Sequence, residues 1–156
     1  MSRRAGWNGT EIKITKRLIL GSQAGFDVEY AVENRGGSKV NAFFAVEMNY
    51  NLLAGDAHDR YYFNPKSDNA GKLATIADFG TLSSVGLKDH WLNVALTLRT
   101  SEPARVIVSP VKTVSQSEGG LLSASRGHLL DDLRDGRSLR RAFVLREVLG
   151  PPVGLR

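Results

Sequence analysis

The sequence contains no cysteine, which excludes disulfide cross-links, thiolate metal sites and thiol nucleophiles, and is typical of a reducing compartment. No run approaches the roughly 18 apolar residues of a membrane span, and charges interrupt the first twenty residues, where a signal peptide has its apolar core. A P-loop, a dinucleotide fingerprint and a Gly-x-Ser-x-Gly elbow are also missing. We therefore expect a cytoplasmic protein with no membrane association and no cofactor.

The histidines do not predict a metal site. His58, His90 and His128 are far apart in the sequence, without the paired spacing of zinc ligands. Asp56 and Asp59 flank His58, and a solvated turn is the favoured interpretation of this local cluster. We expect no bound metal.

The net charge of +5 is unevenly placed along the 156 residues. Residues 121–156 contain seven arginines and four acids, whereas residues 1–120 contain fourteen basic and twelve acidic side chains that alternate without forming a stripe. A nucleic-acid footprint requires clustered basic residues. We therefore expect no nucleic-acid partner.

The first 120 residues read as β-strands. Residues 11–20 (EIKITKRLIL) and 26–34 (FDVEYAVEN) alternate apolar and polar side chains with the period of a half-buried strand. A glycine pair then predicts a hairpin turn, and residues 39–53 (KVNAFFAVEMNYNLL) return as an apolar strand that we expect to be covered on both faces. Residues 59–64 (DRYYFN) predict a short aromatic strand, and residues 64–72 (NPKSDNAGK) predict a loop.

Further strands are expected at residues 73–79, 91–100 and 104–111, with turn signals between them. This density of strands predicts an all-β fold, an antiparallel β-sandwich over residues 1–120. The tail, residues 121–156, has helix-like leucine spacing and glycine breaks, and we expect it to be irregular, disordered or partly helical. Its best helix candidate runs from Ser138 to Gly150, before two prolines.

Three segments, FAVEMNYNLLAG, DHWLNVALTL and SPVKTVSQSEGG, together resemble the C-terminal β-sandwich domain of glycoside hydrolase family 57 4-α-glucanotransferases and α-amylases. The resemblance spans residues 7 to 120 in the order and spacing of that family, and its most specific part is TVSQSEGG. It is carried by Val46, Glu47, Asn49, Asn51, Leu52, Asp89, Trp91 and Pro110 through Gly120. It implies a galactose-mutarotase-like sandwich, also called a supersandwich.

The resemblance also implies a function. In that family the domain follows a catalytic barrel, which holds both catalytic carboxylates, so this chain is expected to be a non-catalytic accessory domain that packs on a barrel and helps to frame an α-glucan groove. The family continues the SEGG turn into an aromatic segment, whereas the arginine-rich tail begins here at Leu121, which indicates a truncated or frame-shifted end. Such a detached domain is expected to expose an apolar patch and to self-associate.

The candidate site residues have two interpretations each. Ser115, Gln116, Ser117 and Glu118 either line a carbohydrate or interdomain surface, with the donors and acceptors that sugar hydroxyls require, or only stabilise a turn. Glu47, Asn49 and Asn51 share a strand face, where anchoring of a neighbouring loop is favoured over bordering a groove.

Aromatic side chains leave a second function open. Trp91, Tyr50, Tyr61 or Tyr62 would stack on glucose rings in a stand-alone carbohydrate-binding module, a maltooligosaccharide binder, although packing is the more common role of aromatic residues in a sandwich. Tyr61 and Tyr62 are adjacent and therefore point to opposite faces. A purely structural or non-functional fragment is the third alternative, and a complete enzyme is the least favoured.

Overall fold

The computed structural model describes residues 1–7, 9–21, 25–50, 52, 54–113, 122–134 and 140–149, and in these ranges the protein is all-β, with antiparallel pairing and no helix. The strands are β1 (Ser2–Trp7), β2 (Thr10–Leu20), β3 (Gly25–Asn34), β4 (Asn41–Tyr50), β5 (Arg60–Asn64), β6 (Ser67–Lys72), β7 (Ala77–Asp89), β8 (Val94–Thr113), β9 (Leu122–Arg134) and β10 (Arg140–Leu149).

Strands β7 and β8 are shared by both layers of a sandwich. The beginning of β8 pairs with β10 and its later part, from Arg105 onwards, pairs with β9. One layer therefore has the order β1-β2-β3-β10-β8-β7-β5-β6, and the other runs β4-β9-β8-β7. A break in register between Leu82 and Ser84 in β7 lies where the hairpin passes from one layer to the other.

Side chains from the two layers meet in one core. The Tyr30 ring of β3 packs edge to face on Phe44 of β4, with ring centroids 5.5 Å apart. Tyr62 of β5 makes a similar contact with Phe79 of β7 at 5.8 Å. Val106 and Val108, each 1% exposed, supply the later part of β8 to the same cluster. The β-sandwich predicted from strand periodicity is confirmed.

The alternation predicted for β3 is also confirmed, whereas the end of β2 is not half-buried, because Leu18 and Leu20 are 55% and 74% exposed. Val28 is 2% exposed and belongs to the core, whereas the outward-facing charges form cross-strand ion pairs. Lys13 lies 3.8 Å from Glu33, and Arg17 lies 3.1 Å from Glu29. Opposite charges placed directly across antiparallel strands stabilise that register modestly. The outer face of this hairpin is thus a polar surface.

The helix predicted within the tail is wrong. Residues Arg140–Leu149 form β10, which lies between β3 and β8 and pairs with both. Residues Leu122–Arg134 form β9, which pairs with β4 and β8. Hydrogen bonding to a neighbour on each side stabilises these extended conformations, and this tertiary context overrides the high intrinsic helix propensity of the leucine and arginine residues. A domain boundary at Gly120 stays a prediction.

Other strand limits differ from the prediction. The segment predicted as a loop contains β6, and the turn is confined to its start, where the Asn64 side-chain oxygen accepts a hydrogen bond from the Lys66 amide at 2.8 Å. Strand β7 begins only at Ala77, and it continues to Asp89 through a stretch in which we predicted no strand. The expectation that the strand after the glycine pair is covered on both faces is wrong, because Phe43 of β4 is 73% exposed.

Candidate interdomain surface

A short turn, residues 90–93, joins β7 to β8 and presents two large apolar side chains to solvent. Trp91 is 78% exposed and Leu92 is 53% exposed. The Leu92 amide donates a hydrogen bond to the Asp89 carboxylate at 2.9 Å. Asn93 has a φ of 53°, a left-handed conformation that asparagine tolerates better than most residues do. The turn is therefore held in one shape while its apolar side chains face water.

A buried ion pair fixes the base of this turn. Asp89 is fully buried, Arg60 is 7% exposed, and the Arg60 Nε atom lies 3.1 Å from Asp89 Oδ2. Arg60 also lies 3.7 Å from the Asp59 carboxylate and donates to the Ala54 carbonyl at 3.5 Å. A buried charge is tolerated only when it is paired, so this arrangement ties the turn to residues 54–60.

The same loop contacts the connection between β6 and β7. The Ala74 amide donates to the Gly55 carbonyl at 2.8 Å, and Leu73 beside it is fully buried. Ile76, at the end of the same connection, is 77% exposed. The connections 54–59, 73–76 and 89–93 thus meet at one end of the sandwich. We call its exposed side chains, Ile76, Trp91 and Leu92, the apolar end.

Aromatic and basic side chains lie beside the apolar end. The Tyr61 hydroxyl is 3.1 Å from His90 Nε2, and the two rings are 5.6 Å apart. The Lys88 ammonium lies 6.0 Å from the centre of the Tyr61 ring and 5.0 Å from that of Phe63, within the range of cation–π attraction. Tyr61 is partly exposed on this side of β5.

Tyr62 points the other way, as the adjacent positions predict, and is 4% exposed in the core. A role for Tyr62 as a sugar platform is therefore wrong, because its ring is not accessible. Tyr50 is partly buried against the same cluster.

The predicted polar residues of β4 lie on a different surface from Trp91. Glu47 and Asn49 are exposed on the outer face of β4, the face that also carries Phe43. Asn51 and the loop residues Ser115, Gln116, Ser117 and Glu118 lie outside the residues that the structure describes. A carbohydrate or interdomain role for these positions stays a prediction.

A second Asp–Arg pair, far more exposed than the first, joins β7 and β8. Both Arg105 Nε, at 2.9 Å, and Arg105 Nη2 donate to Asp78 Oδ2, and the Gly80 amide donates to Asp78 Oδ1 at 2.9 Å. The hydrogen bonds from Arg105, followed by that from Gly80, hold the pKa of Asp78 below its ordinary value. The same contact with Asp78 raises the pKa of Arg105.

Neither a metal-binding cluster nor a membrane-spanning helix is present among the described residues. They contain no group of three or more histidine, aspartate or glutamate side chains placed to hold a metal ion. In the same ranges there is no helix long and apolar enough to cross a membrane.

The role of Arg60 in the buried ion pair was not predicted from the sequence. The one local indication of it was a charged residue at the start of an otherwise aromatic strand.

Comparison with known proteins places the fold. The crystal structure of a 4-alpha-glucanotransferase from Thermococcus litoralis superposes with a TM-score of 0.65 over 94% of this chain, at 18% sequence identity, and this chain spans 20% of the length of that one. No curated protein matches the sequence. The sequence profile described as "Alpha-amylase/4-alpha-glucanotransferase, C-terminal" matches residues 1–123. The chain thus belongs to the family of C-terminal domains of alpha-amylases and 4-alpha-glucanotransferases.

Proposed function

We propose that this chain is a non-catalytic accessory domain that packs, through its apolar end, on the catalytic domain of an α-glucan-processing enzyme and helps to frame the carbohydrate groove. The observation that carries the proposal is the turn at Trp91: its apolar side chains are exposed, while a buried ion pair and a left-handed asparagine hold its backbone. An exposed apolar surface on a preorganised loop is typical of an interface.

The outer face of the β2–β3 hairpin is less suited to docking. It is lined with ion-paired side chains, and such a surface loses much of its hydration when a partner covers it. Family membership supports the identity of the partner, because the profile describes a C-terminal domain of an alpha-amylase or 4-alpha-glucanotransferase. Absence of catalysis is supported by the resemblance, which places both catalytic carboxylates in the barrel.

A chimera tests the docking. This chain is fused in place of the matching fifth of the Thermococcus litoralis enzyme, since fusion raises the effective concentration of a weak partner to about the millimolar range. We expect the amides of residues 89–93 to exchange with deuterium more slowly in the chimera than in the free chain. Trp91→Asp should abolish that protection, because interface tryptophans at such positions contribute about 2 kcal/mol or more.

The matched control is Phe43→Asp, which changes an equally exposed aromatic residue on the outer face of β4. It should leave the protection at the turn unchanged. Equal exchange at residues 89–93 in the free chain and in a folded chimera contradicts the docking. Product formation from maltoheptaose by the free chain contradicts the non-catalytic assignment.

A stand-alone carbohydrate-binding module is the second candidate, and Trp91, with Tyr61 and His90 beside it, is the observation that favours it. It predicts saturable heat release on titration with maltoheptaose, lost in Trp91→Ala. The accessory-domain proposal predicts no saturable heat from the free chain.

A further inference from the structure

Three side chains form a row across the outer face of the layer that contains β5, β6 and β7. Tyr61 of β5 lies directly opposite Lys72 of β6 on one side and directly opposite Lys88 of β7 on the other. Directly opposite residues of antiparallel strands point to the same face of a sheet. Since the adjacent Tyr62 points into the core, this face is the outer one. We call Lys72, Tyr61 and Lys88 the lysine row.

The lysine row adjoins the apolar end on two strands. Lys72 is the last residue of β6 and directly precedes the connection 73–76. Lys88 directly precedes the connection 89–93, which carries Trp91. A partner that covers the apolar end therefore comes close to both lysines.

Neighbouring rings hold one of the two ammonium groups in place. The Lys88 ammonium lies 5.0 Å from the centre of the Phe63 ring and 6.0 Å from that of Tyr61. The Tyr61 hydroxyl is in turn 3.1 Å from His90 Nε2, which ties the row to the turn. A charge that is already positioned loses less conformational entropy when it meets a partner.

The two lysines have no carboxylate partner among the described residues. Elsewhere in the same layer, on the β2–β3 hairpin, Lys13 is paired with Glu33 and Arg17 with Glu29. Ion pairs across strands are thus available to this fold, and the lysine row lacks them.

The acids around the apolar end do not compensate the row. Asp59 and Asp89 both lie against Arg60. Asp56 and Asp68 are exposed, and in the described part of the chain neither forms an ion pair with Lys72 or Lys88. The row therefore presents two positive charges to solvent, on strands about 10 Å apart, beside an exposed tryptophan.

We propose that the catalytic domain presents carboxylate groups opposite Lys72 and Lys88, so that the apolar end docks in an apolar recess whose rim is acidic on the side of β5 to β7. This inference rests on the proposed function and adds the chemistry of the partner surface. Protein interfaces have an apolar centre and a polar rim, and complementary charges at the rim speed association and fix the register. Because the lysine row lies on one side of Trp91 only, it also sets the orientation of the docked domain.

Salt dependence tests the charges in the chimera with the Thermococcus litoralis enzyme. Deuterium exchange at residues 89–93 is compared at about 0.1 M and 1 M sodium chloride, between which the Debye length falls from about 10 Å to about 3 Å. We expect the protection, relative to the free chain at the same salt, to fall several-fold at the higher concentration. Lys88→Glu should reduce it by about tenfold or more at the lower concentration, because like charges then face each other.

Neutral variants separate the row from the net charge of the chain. The double variant Lys72→Gln/Lys88→Gln should weaken the protection and remove its dependence on salt. The matched control is Lys39→Gln/Lys66→Gln, which neutralises two exposed lysines in the β3–β4 and β5–β6 connections. It changes the net charge equally and should keep the salt dependence.

Zero-length cross-linking gives an independent measurement. A water-soluble carbodiimide joins a lysine amine to a carboxylate in contact with it as an amide, and takes up the water that is lost. Mass spectrometry of the digested chimera should find Lys72 or Lys88 joined to an aspartate or glutamate of the catalytic domain. Lys72→Arg/Lys88→Arg keeps both charges but offers no amine, so it should keep the protection and lose these cross-links.

The outcomes distinguish this inference from the docking itself. Protection at residues 89–93 that is indifferent to salt and to Lys88→Glu overturns the acidic rim and leaves the docking in place. Cross-links of the row to a second copy, in place of the catalytic domain, overturn it too. Absence of protection at both salt concentrations contradicts the docking, and the inference with it.

Discussion

Replacing Asp89 by asparagine should destabilise the protein strongly. The change keeps the shape of the side chain and an oxygen that accepts from the Leu92 amide, but it removes the charge that faces Arg60 at 3.1 Å. Asp89 is fully buried and Arg60 is 7% exposed, so the buried arginine loses its nearest counter-charge and keeps only the Asp59 carboxylate, 3.7 Å away. Breaking such a pair costs about 3–5 kcal/mol, against a total stability of about 5–15 kcal/mol for an ordinary domain.

The matched control is Asp78→Asn, which breaks an Asp–Arg pair between the same strand, β7, and its other neighbour, β8. Its side chains are exposed, and water solvates both charges when the pair is broken, so the loss should be far smaller. Urea unfolding followed by circular dichroism measures both changes as shifts in the midpoint at constant slope. The double variant Arg60→Met/Asp89→Leu should recover much of the loss, because both charges leave together. Equal effects of Asp89→Asn and Asp78→Asn would refute the reasoning.

Two further predictions concern strands β7 and β8. Gly86→Ala should destabilise the protein by about 1–3 kcal/mol, because the added methyl group overlaps the Phe63 ring and lies 2.6 Å from the Leu96 carbonyl oxygen. The control Gly37→Ala, where no atom lies within 4 Å of the added methyl group, should not destabilise it, and thermal melts compare the two variants. Acid titration tests Asp78, whose pKa is lowered in the folded state. Its stabilisation is present above the unfolded value of about 3.9 and is lost as the pH falls through the folded value. The stability difference between wild type and Asp78→Asn should therefore shrink below about pH 4, and a constant difference contradicts the assignment.

The strands that the sequence predicts well are those whose environment is repeated along their own length. In β3 every second residue from Phe26 to Val32 is apolar, because one face meets the core and the other meets water. A two-residue period does not depend on which strand is the partner, so it can be recognised in a single sequence.

Features that depend on distant partners were not predictable. Arg60 and Asp89 are 29 positions apart, and nothing local marks either as buried. The extended conformation of β10 likewise depends on β3 and β8, which offer it backbone partners on both sides. Trp91 was predicted as a candidate site residue, but within a strand. The turn at residues 90–93 contains no proline or glycine, so its sequence gives little indication of a turn.

The position of β10 has a consequence for synthesis of the protein. It is the last strand of the described chain to leave the ribosome, yet it occupies the middle of the wider layer, between β3 and β8. Until it is made, the β1–β3 meander and the β5–β8 part of that layer have no backbone hydrogen bonds to each other among the described residues. Chains released before residue 140 would therefore carry two unpaired interior edges, which are templates for aggregation. We therefore expect truncation before residue 140 to reduce soluble expression.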